Sequence, residues 1–163
     1  MKQVVTQVLT KAVVATSLCW VTSLAQANDM LPFEQVRQQY RTTNDLTRVS
    51  HLYRRCAALQ LNVAALLVKK KQRKAATDYE NLANHYMMLS EATDIEIDKK
   101  RGVETVKPME TISLSVKGLT ELYEQRMKDN RAKRGESFAG DSVLEDELAQ
   151  CLKPDAFVKS LTP

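Results

Sequence analysis

The sequence predicts an all-α protein, an up-and-down bundle of three long amphipathic helices with a short N-terminal and a short C-terminal helix. Through most of the chain, apolar residues recur at steps of three and four, which is the period of one helix face. Only four glycines and four prolines occur in 163 residues, and most of them fall between the periodic segments. Alternating strand patterns are missing from the sequence.

The first 27 residues have the three parts of a secretory signal peptide in the expected order. Lys2 and Lys11 lie in an N-terminal stretch without acidic residues, and residues 12–24 form an apolar run. Residues 25–27 read Ala-Gln-Ala, the small-residue pattern of a cleavage site. We therefore predict cleavage after Ala27, which leaves residues 28–163 as a single helical domain in the periplasm or outside the cell.

Two other interpretations of this segment are less favoured. A membrane anchor needs about 20 apolar residues, and this run is shorter and ends at a cleavage pattern. Lipid attachment at Cys19 needs a small preceding residue, whereas Leu18 is bulky. Since no later segment is apolar enough to cross a bilayer, the mature chain is not expected to span a membrane.

The first two helices are separated by a polar Thr-Thr-Asn segment. Pro32 opens the first helix, because the N–H that proline lacks has no helical partner at that position. Asn44 is predicted to cap the second helix, which covers residues 45–71. Its apolar face includes Cys56.

The third helix is predicted over residues 75–100 and the fourth over residues 108–133. The third has a stripe of large side chains with helical spacing: Tyr79, Leu82, Tyr86, Leu89, Thr93 and Ile97. The fifth begins at Ser142, which forms a capping box with Glu145, and ends at Pro154. Residues 155–161 are expected to be a tail of about one further turn.

Two cysteines remain after removal of the signal peptide, Cys56 and Cys151. An exported chain meets oxidising conditions, so we predict an intramolecular disulfide between them. Buried free thiols and an interchain bond are the alternatives. Closing a loop of this length contributes about 4–5 kcal/mol in the chain-entropy model.

Composition and motifs argue against several classes of function. Loss of Lys2 and Lys11 lowers the formal net charge from +4 to about +2, so general attraction to nucleic acid is not expected. His51 and His85 have no zinc-hydrolase spacing, and no cofactor is predicted. The acids at positions 94, 96 and 98 do not continue as a calcium loop, so we interpret them as solvated.

Positive charge concentrates where helices are predicted to end. In an up-and-down bundle the second and fourth helices end at the same pole, where their cations would form a surface for an anionic partner. Helix-dipole compensation is the competing explanation. The predicted surface comprises Lys69, Lys70, Lys71, Arg73, Lys74, Arg131, Lys133 and Arg134.

The function expected from these patterns is non-enzymatic binding of an envelope protein or an anionic lipid surface. A small acid- or stress-responsive chaperone belongs to the same class. The alternatives are a haem or metal carrier of the helical-bundle type, because His85 lies near two methionines, and a small cell-wall enzyme. No motif selects an oligomeric state or a catalytic residue.

Overall fold

The computed structural model describes residues 31–104 and 108–161, and within these ranges it contains helices and no strands. The predicted all-α class is thus confirmed. The signal-peptide prediction falls on residues outside the described ranges. The helices are α1 (Phe33–Thr43), α2 (Leu46–Lys69), α3 (Arg73–Arg101), α4 (Pro108–Arg134), α5 (Ser142–Cys151) and α6 (Pro154–Leu161). Across the described ranges, none of the helices has the length and apolar character needed to cross a bilayer.

Two helix starts lie one residue away from their predicted caps. Asn44 has the left-handed conformation, with φ 52°, and its N–H donates to the Tyr40 carbonyl, so it ends α1. The cap of α2 is Asp45, whose Oδ1 accepts from the Thr47 N–H at 3.0 Å. Asp141 rather than Ser142 likewise caps α5, because its backbone is extended and its Oδ1 accepts from the N–H groups of Val143 and Leu144.

The C-terminal segment is a full helix rather than a tail. Pro154 opens α6, where its missing N–H has no helical partner. Phe157 is buried, with its ring centroid 5.6 Å from that of Phe33, 6.1 Å from Tyr53 and 5.9 Å from Tyr86. This aromatic cluster joins both ends of the described chain to the α2–α3 pair.

Helix α2 is the centre of the fold and packs against α1, α3, α4 and α5. A connection of three residues leads from α2 to α3. The Ser50 and Ser90 Oγ atoms are 2.9 Å apart, and the rings of Tyr53 and Tyr86 are 6.3 Å apart. Later residues of α2 therefore pair with earlier residues of α3, so the two helices run in opposite directions.

Small side chains at intervals of seven line both members of this pair. The contact between Ser50 and Ser90 sets the register, which places Ala57 opposite Ala83 and Ala64 opposite Ala76. All six residues are at most 2% exposed. Small residues on facing ridges allow helix axes to approach closely, because no large side chain separates the backbones. Two members of the predicted α3 stripe, Tyr86 and Ile97, are buried, and the other four are half-buried: Tyr79, Leu82, Leu89 and Thr93.

Because α2 and α3 pack closely, a larger side chain at their contact should destabilise the protein. Ala83→Leu should lower the free energy of unfolding by about 1–3 kcal/mol, because the longer side chain overpacks the α2–α3 contact. The matched control is Ala92→Leu, at an exposed position of the same helix, which should change stability by less than about 0.5 kcal/mol. Urea unfolding of both variants checks this, and equal effects would contradict the close packing.

Candidate anion-binding surface

The ends of α2 and α4 lie side by side, around two neighbouring clefts. Lys69 and Arg131 line one cleft of about 360 Å³, and Lys70 and Arg131 line the second, of about 530 Å³. The two clefts share Leu66, Arg131 and Ser137. We call Lys69, Lys70 and Arg131 the cleft cations; all three side chains are exposed.

The remaining predicted cations have other positions. Lys71, Arg73 and Lys74 line a shallow recess of their own at the α2–α3 connection, together with Asp78. Lys133 is exposed on the last turn of α4. Arg134 contacts its own chain, since its Nη1 donates to Asn130 Oδ1 at 2.8 Å and to the Gly140 carbonyl.

The loop of residues 135–141 closes the larger cleft and is tied to α4 at several points. The nearly buried Asn130 donates through Nδ2 to the carbonyls of Glu136 at 2.9 Å and Ala139 at 3.1 Å. Arg126 forms a two-pronged ion pair with Asp141, with donor–acceptor distances of 2.7 and 2.8 Å. This pair holds the pKa of the Asp141 carboxyl below its usual range.

Helical geometry explains why some residues near the end of α4 contact the loop of residues 135–141 and others line the clefts. Arg126, Asn130 and Arg134 are spaced by four and lie on the face that holds the loop. Arg131 follows Asn130 by one residue, about 100° around the helix, and lines the clefts beside α2. The loop contacts thus account for Arg134 and do not account for Arg131.

Each cleft has more cations than acids at its edge. In the smaller cleft, Glu124 faces Lys69, Lys128 and Arg131, and in the larger one Glu136 faces Lys70 and Arg131. Glu124 accepts from Lys128, which lowers the pKa of the Glu124 carboxyl, and Lys69 lowers it further. A positive excess therefore remains around the shared Arg131, and it favours an anionic partner.

A separate polar cleft, of about 310 Å³, lies between α2, α3 and the start of α4. Arg54 forms an ion pair with Asp94, and Ser50 donates to Asp94 Oδ1 at 2.6 Å. Arg54 Nε also donates to Ser90 Oγ at 3.0 Å. The prediction that Asp94 is a solvated acid is wrong, because its carboxylate is 18% exposed and joins two helices. The sequence signal was present as two pairs spaced by four on facing helices, Ser50 with Arg54 and Ser90 with Asp94.

A fully buried polar cluster of Arg55, Tyr123 and Glu147 was also missed by the sequence patterns. Arg55 forms an ion pair with Glu147, and its Nε donates to Tyr123 Oη at 3.1 Å. Its Nη1 donates to the Leu31 carbonyl at 2.5 Å, and its guanidinium lies 4.7 Å from the Phe33 ring centroid. These contacts join α2, α4, α5 and the start of the described chain, which is a structural task.

The sulphurs of Cys56 and Cys151 are 2.02 Å apart, as a disulfide between them requires. Of the two histidines, His51 is half-buried and His85 is exposed. Among residues 31–104 and 108–161, no group of three or more His, Cys, Asp or Glu side chains is arranged to hold a metal ion.

No protein-family model matches this chain, and no curated protein or solved structure matches it either. A functional assignment therefore depends on the geometry and charge of the chain itself.

Proposed function

We propose that this chain is an exported, non-enzymatic helical protein that binds an anionic lipid surface of the cell envelope through the cleft cations. The observation that carries the proposal is the meeting of three exposed cations, Lys69, Lys70 and Arg131, around two neighbouring clefts. A membrane surface presents many anionic headgroups side by side, so it can pair with all three exposed cations at once. The proposal involves no cofactor and no catalytic residue.

Export is supported by two features. Residues 1–27 have the composition of a signal peptide, and Cys56 and Cys151 lie at disulfide distance, which suits an oxidising compartment. The mature protein would thus act in the periplasm or outside the cell.

The proposal includes an up-and-down arrangement of the three long helices. The Ser50–Ser90 contact supports opposite directions for α2 and α3. Asn62 Nδ2 donates to the Thr120 carbonyl at 3.0 Å, and further along both helices Lys69 and Arg131 line one cleft. This order of contacts supports a common direction for α2 and α4, which brings their cationic ends together.

Vesicle binding by residues 28–163 tests the proposal. Each cation near an anionic membrane surface contributes about 1 kcal/mol, so Lys69→Gln/Lys70→Gln/Arg131→Gln should weaken binding on the order of 100-fold at low salt. Binding by the unchanged protein should also weaken steeply as salt rises, because exposed charges are screened over about 8–10 Å at physiological ionic strength. Co-sedimentation with phosphatidylglycerol vesicles, against phosphatidylcholine vesicles, measures both effects.

The matched control is Lys99→Gln/Lys100→Gln/Lys117→Gln, which removes the same charge from exposed positions that line neither cleft. We expect it to retain most of the binding, and both triple variants to melt close to the unchanged protein. An equal loss in the two variants would show attraction by net charge alone. No binding of the unchanged protein to anionic vesicles would reject the lipid surface and leave an acidic envelope protein as the partner to test.

A further inference from the structure

The two clefts are large enough for a ligand rather than for headgroup contact alone. Their volumes, about 360 and 530 Å³, fall in the range of roughly 300–1,000 Å³ that small-molecule sites occupy. They adjoin through Leu66, Arg131 and Ser137, so one extended ligand can contact both.

The walls of the clefts are mainly apolar. Several of these side chains are only half-buried, so part of their surface faces the clefts and remains in water. Covering apolar surface is favourable in proportion to the area removed from water. A headgroup bound at the rim would satisfy the cations and leave these walls wet. The half-buried apolar residues are Leu61, Leu66, Leu67, Phe138 and Leu148.

The larger cleft is also held open by its surroundings. Asn130 and Arg134 fix the carbonyls of Glu136, Ala139 and Gly140, so the loop that carries Phe138 is tied in place. A site that is already formed loses less conformational entropy when it binds.

We infer that the clefts bind one monomeric single-chain anionic amphiphile. Its apolar chain lies along Leu66, Leu67 and Phe138, and its carboxylate or phosphate faces Lys70 and Arg131. Arginine is suited to either headgroup, because its planar guanidinium pairs with two oxygens at once. The inference rests on the proposed function, since the same cations serve both, and it adds a defined ligand class.

Titration of residues 28–163 with dodecanoate and with dodecyl phosphate, each below its micelle concentration, tests the inference by calorimetry. We expect saturation at about one molecule per chain for either headgroup. Zwitterionic dodecylphosphocholine should bind at least about tenfold more weakly, because it lacks a net negative charge. Acetate and inorganic phosphate, which lack the chain, should not bind measurably. Equal binding of the zwitterionic and anionic ligands would overturn the inference.

Variants separate this site from the membrane surface. Leu67→Gln should weaken dodecanoate binding at least about tenfold and leave vesicle binding unchanged, since the cleft cations remain. Val68→Gln is the matched control, because Val68 is the next residue along α2, is 50% exposed and lies outside both clefts. Phe138→Ser repeats the test in the loop if Leu67→Gln melts below the measuring temperature.

The two proposals fail in different ways. Vesicle binding without dodecanoate binding would overturn the single-chain site and leave the surface proposal intact. Dodecanoate binding that survives Leu67→Gln and Phe138→Ser would also overturn it, because the chain would then lie elsewhere. Loss of dodecanoate binding in Lys70→Gln/Arg131→Gln, with unchanged melting, would support the assigned headgroup position.

Discussion

Replacing Cys56 and Cys151 together by alanine should lower the free energy of unfolding by about 2–5 kcal/mol. The bond closes a loop with a sequence separation of 95 residues, so its removal gives the unfolded chain many more conformations. Both side chains are fully buried, and alanine leaves no polar group there without a partner. In a domain of this size the melting temperature should fall on the order of 10 °C.

The native position of α5 has other support, which makes the test informative. The Cys151 carbonyl accepts from Gln60 Nε2 at 2.9 Å and from Tyr86 Oη at 3.1 Å. The alanine variant should therefore keep its helical circular dichroism while its urea midpoint falls. A reductant should lower the midpoint of the unchanged protein and leave that of the alanine variant unaffected. Equal midpoints for oxidised and reduced protein would contradict a stabilising bond.

Helical periodicity predicted five of the described helices because each contains its own repeating apolar face. It missed α6, since eight residues hold only Phe157 and Leu161 as buried positions. The caps were displaced by one residue because Asn44 and Asp45, or Asp141 and Ser142, are adjacent residues that all suit helix ends. Only the backbone conformation decides between such neighbours.

The buried face of α3 was assigned only in part, since Tyr86 and Ile97 of the predicted stripe are buried but the small residues beside them were not included. A stripe of large apolar residues is chosen by hydrophobicity, whereas close packing of two helices selects small residues. The intervals of seven at Ala76, Ala83 and Ser90 match those at Ser50, Ala57 and Ala64, and that match is visible only when both helices are compared. Pair contacts, unlike helix formation, depend on sequence that is distant along the chain.

The cationic ends were predictable from sequence, and the division of tasks among them was not. Runs of Lys and Arg mark the helix ends directly. The path of residues 135–141 determines which of these cations bonds to the loop and which stays at the surface. Arg134 holds that loop, and Arg131 faces the clefts. Similarly, Glu147 lies three residues after Leu144 and four before Cys151, so it shares their buried face. Its charge led to its omission from the predicted core.

Arg55→Met should be among the most destabilising substitutions in the chain, at about 3–5 kcal/mol near pH 8, because it leaves the Glu147 carboxylate buried without its cation. Arg55, Glu147 and Tyr123 are each 0% exposed. The Tyr123 hydroxyl donates to Glu147, and burial raises the pKa of that hydroxyl well above its usual range. The carboxylate would therefore keep one neutral hydrogen-bond donor and no cation in contact, with only the more distant charge of Arg126 acting on it.

The loss of stability caused by Arg55→Met should be larger at high pH than at low pH. Burial raises the pKa of Glu147 from 4.5 to about 7, although Arg55 and the Tyr123 hydrogen bond act to lower it. The folded protein then binds this proton more tightly than the unfolded chain does. The contribution of Glu147 to stability is consequently complete below about pH 4.5 and is lost as the pH rises through 7. Without Arg55 the pKa rises further, so Arg55→Met should be destabilised less near pH 5 than near pH 8.

A matched triple variant distinguishes charge from packing. Arg55→Met/Tyr123→Phe/Glu147→Leu replaces the buried ion pair and its hydroxyl by apolar groups of similar size, and such replacement is often neutral or stabilising. It should recover most of the stability that Arg55→Met loses near pH 8, and the pH dependence of this group should disappear. Urea unfolding of the unchanged protein, Arg55→Met and the triple variant near pH 5 and near pH 8 measures these differences. A triple variant less stable than Arg55→Met, or a single variant insensitive to pH, would mean that Arg55 acts through its contacts with Leu31 and Phe33 and not through the charge of Glu147.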